Sequence, residues 1–320
     1  MKKIALMSAV AAGLLTVTAC SGTGKSDGAS ASEDLDLKYA VVTHAPSGDA
    51  FWDRVKSGAE RAGKDYGVTV SYAGDPDPSE QSKLIDSAVA DGVDGIVVSM
   101  ANPDGLKASV TKAIDAGVPV VTINAGQEQS REFGAITHVG QSETLAGDAV
   151  GSRMKSDGYT NAICVIQAAG AVNLEQRCGA AKKALGAQME NIQVDGTDDN
   201  QVTATLTSKL QASKDIDVVL TLGGQQAIDA VSAIKEAGSK AKVVTFDLSE
   251  DVLKGIKDGN IQWAVDQQPF VQGFEGVSVL YLKSINGNDL GGGQPIYSGP
   301  AFVDKSNADA ITKYAANGTR

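Results

Sequence analysis

Residues 94–124 read DGIVVSMANPDGLKASVTKAIDAGVPVVTIN, and residues 217–247 read DVVLTLGGQQAIDAVSAIKEAGSKAKVVTFD. Each stretch starts with Asp and continues through an apolar strand, a helix that ends in Ala-Gly, and a second strand that contains Val-Val-Thr. Each also closes on a polar residue, Asn124 in the first copy and Asp247 in the second. Ligands of parallel sheets bind beyond the carboxyl ends of the strands. The repeat therefore predicts two similar lobes that close on a small polar molecule.

Apolar runs of strand length alternate with helical segments through the rest of the chain. Residues Trp52, Val55, Ala59, Ala62 and Tyr66, for example, have the spacing of one helix face. Strand–helix alternation is typical of parallel sheets covered by helices, so we predict an α/β fold with two Rossmann-like lobes. The predicted strands are 39–43, 68–72, 95–99, 118–123, 162–166, 192–194, 218–222, 242–246 and 261–265.

The chain is predicted to pass between the two lobes three times, near residues 140, 266 and 298. The sequence Asp-Gln-Gln-Pro at 266–269 ends the last of these strands and starts a helix over 270–286, which we expect to pack on the first lobe. Three connections at one hinge permit bending and limit sliding. The predicted first lobe is residues 37–139 with 266–297, and the second lobe is residues 140–265 with 298–320.

The first residues of the chain have the features of an export signal. Lys2 and Lys3 precede an apolar run that is too short for a transmembrane helix. Residues 17–20 read VTAC, which resembles the lipobox of bacterial lipoproteins; an ordinary secretory signal with a chance cysteine is the alternative. We predict a signal peptide over 1–19, a lipidated Cys20 that anchors the protein to the outer face of the cell membrane, and a flexible tether up to residue 36.

The charge balance of the chain is acidic. It has 28 basic and 39 acidic residues, a net charge of −11. Removal of the two lysines with the signal peptide leaves 26 basic against 39 acidic residues, a net charge of −13. Such a surface repels phosphate backbones, so nucleic-acid binding is not expected. A neutral or cationic ligand agrees with this charge.

Cys164 and Cys178 remain once Cys20 is assigned to the lipid anchor, and an even pair in an exported chain favours a disulfide. A catalytic thiol is the alternative, but His44 and His138 are the only histidines and neither lies in a nucleophile motif. No Gly-x-Ser-x-Gly motif is present either. We therefore predict that the protein is not an enzyme and needs no cofactor or metal.

Five segments carry a resemblance to a known family. They are AVVTHAPSGDAFWDRVKSGAERAGKDYGV at 40–68, GVPVVTIN at 117–124, NLEQRC at 173–178, VVTFD at 243–247 and AVDQQP at 264–269. Over residues 37–320 the chain resembles the type I periplasmic binding proteins. More narrowly, it is similar to ribose/fructose/inositol-type sugar-binding lipoproteins of ABC transporters, in their actinobacterial branch. The resemblance implies a monomer that captures a monosaccharide or polyol outside the membrane and delivers it to a permease with a cytoplasmic ATPase.

A sugar site needs aromatic rings against the C–H faces and polar groups against the hydroxyls, because an unpaired buried hydroxyl costs roughly 1–3 kcal/mol. Asp49, Phe51 and Trp52 follow the first predicted strand and are expected to contact the ligand. The alternatives are that Asp49 only caps the following helix and that the two aromatic residues belong to the core.

The resemblance also implies ligand contacts from Asn124, Arg177, Asp247 and Gln267. The planar fork of Arg177 can grip two hydroxyls at once. The alternatives are a surface ion pair of Arg177 with Glu175 or a neighbour, a helix cap for Asp247, and a structural hinge role for Gln267. A second group of candidate ligand-binding residues is His44, Met100, Asn102, Gln141, Asn173 and Gly223. The alternative for Asn102, which precedes Pro103, is that it only starts the following helix.

Two positions depart from the family pattern. Ala125 follows Asn124 where ribose binders carry Arg, and Gly223-Gly224 stands where other members carry Asn. These departures argue against ribose itself. A receptor for a non-sugar small molecule, such as an amino acid or a signalling furanosyl compound, is the alternative function on the same fold.

Overall fold

The computed structural model describes residues 36–320. The predicted signal peptide, Cys20 and the tether up to residue 35 lie outside the described residues. The strands are β1 Lys38–Thr43, β2 Thr69–Gly74, β3 Gly95–Ser99, β4 Val120–Ile123, β5 His138–Gly140, β6 Asn161–Ile166, β7 Gln188–Gln193, β8 Val218–Thr221, β9 Lys242–Phe246, β10 Ile261–Asp266, β11 Ile296–Tyr297 and β12 Ala301–Asp304.

Eleven α-helices are present within the described residues, and none of them is long and apolar enough to cross a membrane. They are α1 Ala50–Tyr66, α2 Pro78–Ala90, α3 Pro103–Asp115, α4 Gln127–Glu132, α5 Glu143–Ser156, α6 Val172–Leu185, α7 Asp199–Ala212, α8 Gly224–Ala237, α9 Glu250–Asp258, α10 Pro269–Asn286 and α11 Ala308–Ala316.

The strands form two six-stranded sheets of the same topology. The orders are β2-β1-β3-β4-β5-β11 and β7-β6-β8-β9-β10-β12. All pairs in the first sheet are parallel, and in the second only β12 runs antiparallel to its neighbour. The chain changes sheet after β5, after β10, and between β11 and β12. The predicted two-lobed α/β fold with a three-segment hinge is therefore confirmed.

Apolar residues on both faces of each sheet explain why the strands are nearly continuous apolar runs. In β1, Val41 packs with α1 and α10 on one face, while Val42 belongs to the core on the opposite face. The predicted face of α1 is also present, since Trp52 and Val55 are both buried. The helix closes on Gly67 in the left-handed conformation, at φ 69°.

Three strands differ most from the sequence-based prediction. Strand β7 was predicted at 192–194 but covers Gln188–Gln193, because its first four residues, Gln-Met-Glu-Asn, lie at the sheet edge and lack an apolar run. The short strands β5 and β11 were not predicted. They complete the first sheet next to the hinge, where tertiary pairing decides the backbone conformation.

The first residue of each repeat has a structural role. The carboxylate of Asp94 accepts a hydrogen bond of 2.8 Å from the backbone N–H of Lys38, at the start of β1. The carboxylate of Asp217 accepts bonds of 2.7 Å and 3.1 Å from the N–H groups of Thr160 and Asn161, at the start of β6. Each aspartate thus joins the start of one central strand to that of its neighbour, far from the ligand end of the sheet.

Helices α1 and α10 pack closely through glycine. A Cβ atom at Gly58 would overlap the carbonyl oxygen of Phe270, and one at Gly273 would overlap that of Val55. This contact holds α10 on the first lobe, as the sequence predicts. The hinge segment that precedes α10 is positioned by the same contact.

Replacing Gly58 by alanine is expected to lower the free energy of unfolding by about 2 kcal/mol, because the added methyl forces α1 and α10 apart. The matched control is Gly179→Ala in α6, where a Cβ would meet nothing within 4 Å. The control is expected to raise the free energy of unfolding by up to about 1 kcal/mol through helix propensity. Urea unfolding followed by circular dichroism measures both, and equal stability of the two variants would contradict the packing argument.

Candidate functional site

Asn124 and Asp247, the last residues of the two repeats, directly follow the equivalent strands β4 and β9. Both have left-handed backbones, with φ of 60° and 69°. Asn and Asp enter this region more readily than other non-glycine residues, and such strained positions concentrate at functional sites. Each backbone N–H donates to the next strand, at 3.1 Å to Val139 and 2.8 Å to Val265. The equivalence of the two ends predicted from the repeat extends to the backbone.

A chain of polar contacts connects Asp247, through Gln267 and Arg177, to Glu143 of α5. The Gln267 amide donates to the Asp247 carboxylate, and its oxygen accepts a hydrogen bond of 3.2 Å from Nη2 of Arg177. Arg177 also donates to both carboxylate oxygens of Glu143, from Nε at 2.6 Å and from Nη2 at 2.9 Å. We call Glu143, Arg177, Gln267 and Asp247 the polar chain. Its members come from four separate segments, so only the fold brings them together.

Arg177 is only 1 % exposed, and its guanidinium lies 4.3 Å from the centre of the Phe246 ring. The predicted alternative partner, Glu175, is exposed and instead accepts a hydrogen bond from the Gln193 amide. Nε and Nη2 bind protein acceptors, so Nη1 is the guanidinium nitrogen left for the hydroxyl contacts predicted for Arg177. Nη1 is buried without a protein partner.

The electrostatics of the site centre on Asp247. Burial raises the pKa of Asp247 to about 7, against the opposing effects of Arg177 and the Gln267 hydrogen bond. Asp49 of the first lobe and Asp266 add smaller contributions in the upward direction. The Asp247 carboxyl is thus influenced both by the Arg177 guanidinium and by a carboxyl group of the first lobe.

Asp49 caps α1, since its carboxylate accepts from the N–H groups of Phe51 at 2.8 Å and Trp52 at 3.3 Å. The pKa of Asp49 is raised, chiefly by burial. Trp52 belongs to the core, where its ring meets His44 edge to face at 4.7 Å. The Phe51 ring lies 5.1 Å from that of Trp52 and is less buried. Phe51 is therefore the aromatic side chain of this pair that is left for a ligand face.

Several candidates of the second group have structural roles. Met100 is fully buried in the core, and exposed Asn102 caps α3 by accepting from Gly105 N–H at 3.0 Å, so neither stays a strong ligand candidate. His44 forms a 2.7 Å hydrogen bond with Ser99 Oγ, and burial lowers the pKa of His44 to about 4. Gly223 starts α8 beside the Gln226 side chain.

The remaining two candidates of that group lie near the polar chain. Gln141 donates from its amide to Glu143 at 3.3 Å, and Asn173 is buried in the first turn of α6 with its side-chain oxygen unpaired. Gln267 has a hinge role in addition, because its backbone oxygen accepts from Ser298 Oγ at 2.8 Å and from the Gln272 amide at 3.1 Å. Its side chain and backbone thus perform separate tasks.

Glu143 is not among the site residues predicted from the sequence. It follows Ser142, the N-cap of α5, and an acidic residue in a first turn is ordinary helix chemistry. Only its burial, at 6 % exposure, reveals a paired charge. Glu143 and Asn124 also line the same small cavity of about 20 Å³, beside Gln176 of α6. This cavity places the polar chain next to the end of the first repeat.

The predicted disulfide between Cys164 and Cys178 is confirmed; their Cα atoms lie 6.1 Å apart. It joins β6 to α6 one residue after Arg177. The lobes also touch directly, because Val172 N–H donates to the Ala101 carbonyl at 3.1 Å and Ala125 packs into the apolar core of the second lobe. Among residues 36–320 no group of three His, Cys, Asp or Glu side chains is arranged for a metal ion.

A family model described as a periplasmic binding protein domain matches residues 39–288. The chain belongs to this family. As a periplasmic binding protein, it is similar to the ribose import binding protein RbsB of Bacillus subtilis, at 25% identity over 68% of this chain and 72% of that protein. It is also similar to the xylitol-binding protein of Mycolicibacterium smegmatis, at 26% identity over 98% of this chain and 88% of the relative.

Among solved structures, this periplasmic binding protein is similar to a carbohydrate transporter from Acidothermus cellulolyticus 11B in complex with myo-inositol. The identity is 44% and the TM-score is 0.87, with 89% of this chain and all of that chain covered. The type I periplasmic binding protein fold is thereby shown, together with membership of a family of sugar-binding transport proteins.

Proposed function

We propose that this protein is a lipid-anchored extracytoplasmic receptor that captures a cyclic polyol between its lobes and delivers it to an ABC importer. The observation that carries the proposal is the polar chain, whose carboxylate end, Asp247, follows β9 and accepts from the Gln267 amide. The 44% identity to a protein in complex with myo-inositol supports a cyclitol over other polyols. Binding rather than catalysis is the activity of this family.

The side chains of the site match the chemistry of a polyol. Hydroxyl groups donate to Asp49 and Asp247 and accept from Nη1 of Arg177, while the Phe51 ring covers a C–H face. Asn124 offers an amide from the end of the first repeat. The proposed ligand-binding set is Asp49, Phe51, Asn124, Arg177, Asp247 and Gln267, with Trp52 supporting Phe51 from the core.

Ribose is disfavoured because Ala125, which stands where ribose binders carry Arg, offers no side-chain hydrogen bond. Its side chain is 1 % exposed and packs into the core of the second lobe. A ligand that contacts both lobes stabilises the closed population and drives capture. We propose that lipid at Cys20 holds the receptor at the outer face of the membrane, as a monomer, beside its permease.

Isothermal titration of the purified receptor, freed of carried-over ligand by unfolding and refolding, tests the proposal. We expect myo-inositol to bind about 100-fold or more tightly than ribose, because each hydroxyl left unpaired costs roughly 1–3 kcal/mol. Xylitol, fructose and arabinose complete the panel. Binding of an amino acid or a furanosyl signalling compound, with no binding of any polyol, would overturn the proposal.

A further inference from the structure

The buried ion pair between Glu143 and Arg177 occupies most of the guanidinium. The two carboxylate oxygens of Glu143 accept from Nε and Nη2, and side-chain exposure is 1 % for Arg177 and 6 % for Glu143. Bidentate contacts of this kind hold the guanidinium plane in one orientation. Arg177 therefore has little rotational freedom before any ligand arrives.

Two further contacts hold the same plane. Gln267 accepts a second bond from Nη2, and the Phe246 ring lies against the guanidinium. Glu143 is itself held by the Gln141 amide. Glu143 and Gln141 follow the first passage between the sheets, and Gln267 follows the second. The orientation of Arg177 is thus set from two hinge segments.

Nη1 is the one guanidinium nitrogen left without a protein partner, and it is buried. A buried donor without an acceptor is costly, so an acceptor from a ligand is favoured at this position. The carboxylate of Asp247 lies at the other end of the polar chain. A ligand that presents a hydroxyl oxygen to Nη1 and hydroxyl hydrogens to Asp247 satisfies both ends.

We infer that Glu143 is a positioning residue that clamps Arg177 so that a single nitrogen, Nη1, is presented to the ligand. The inference rests on the proposed polyol-binding function. Glu143 acts through Arg177 and does not itself contact the ligand. The two residues must therefore behave as one unit when they are replaced.

A double-mutant cycle on the full receptor tests this role, with myo-inositol as the probe and titration calorimetry as the readout. Glu143→Gln removes the charge and one of the two acceptor oxygens, and we expect it to weaken binding about tenfold, the value of one hydrogen bond. In an Arg177→Met background the same replacement should change the affinity less than about twofold, because no guanidinium remains to be positioned. The matched control is Glu175→Gln, an exposed glutamate on the helix of Arg177, which should bind like the unmodified protein.

An equal loss of affinity in both backgrounds would overturn the inference, as would unchanged binding by Glu143→Gln. Circular dichroism shows whether each variant folds. If Glu143→Gln does not fold, Glu143→Asp, which keeps a carboxylate on a shorter side chain, takes its place in the cycle. The ligand-free protein gives an independent readout through the ¹⁵N–¹H resonance of the Arg177 Nε–H group. Slow exchange of this proton with water in the unmodified protein, and faster exchange in Glu143→Gln, support the positioning role. This result is independent of whether a polyol binds. Rapid exchange in the unmodified protein overturns the inference.

Discussion

Replacement of Asp247 by asparagine is expected to weaken myo-inositol binding about 100-fold, because it removes a charged hydrogen-bond acceptor from the centre of the site. Asparagine keeps the shape of the side chain and tolerates the backbone φ of 69°, so the loss reports on charge rather than on folding. The exposed Asp115→Asn is the matched control and should leave the affinity unchanged.

The same variant is expected to change the pH dependence of stability. The pKa of Asp247 is about 7 in the folded protein and 3.8 in its ordinary state. The folded protein therefore binds an extra proton between these values, and its stability falls as the pH rises from about 4 through about 7. Asp247→Asn should lack this fall and be more stable than the unmodified protein at pH 8, as measured by urea unfolding at pH 4, 6 and 8.

Ligand affinity should change with pH in the direction opposite to that of stability. Hydroxyl groups donate to the ionised carboxylate, so binding to the unmodified protein is expected to strengthen as the pH rises through about 7. The variant should show no such rise. If Asp247→Asn binds myo-inositol as tightly as the unmodified protein, Asp247 is not a ligand residue.

Removal of the disulfide by the double replacement Cys164→Ala/Cys178→Ala is expected to lower the free energy of unfolding by about 3 kcal/mol. The bridge closes a loop between residues 14 positions apart, and the unfolded chain gains the freedom of that loop when the bridge is absent. Both cysteines are fully buried, so the smaller side chains also lose packing.

The affinity should fall with the stability, since Cys178 directly follows Arg177 on α6. Urea unfolding and titration with myo-inositol measure the two effects. The control is the unmodified protein with its disulfide reduced, which keeps both cysteine side chains. Its free energy of unfolding should fall by most of the amount that the double variant loses. Equal unfolding midpoints for the oxidised protein and the double variant would contradict the expectation.

The local sequence pattern was sufficient to predict the two-lobed scaffold. The repeated strand–helix–strand unit predicted two parallel sheets, and the ends of the repeats identified Asn124 and Asp247 as equivalent positions. These features depend on neighbours along the chain: apolar periodicity, helix ends and polar residues after strands. Where the local pattern was weak, as in the polar edge strand β7, the prediction was wrong.

The assignment of side chains to tasks was less predictable. Asn102 and Met100 stand in the segment after β3 like ligand residues, yet one caps a helix and the other fills the core. The sequence around Asn102 and Met100 agrees equally well with a ligand contact and with a structural role. Asn102 before Pro103 permits a helix cap as well as a ligand contact, and only the packing of the surrounding elements decides which role each side chain has.

The two-lobed fold and the positions of Asn124 and Asp247 thus follow from the amino-acid sequence, because hydrophobic periodicity acts over a few residues. The pairing of Glu143 with Arg177, and with it the single free nitrogen of the guanidinium, arises only in the tertiary structure. Thirty-four positions separate these residues along the chain, and the packing of α5 against α6 buries both charges together. Burial turns an ordinary first-turn glutamate into the partner that orients the arginine.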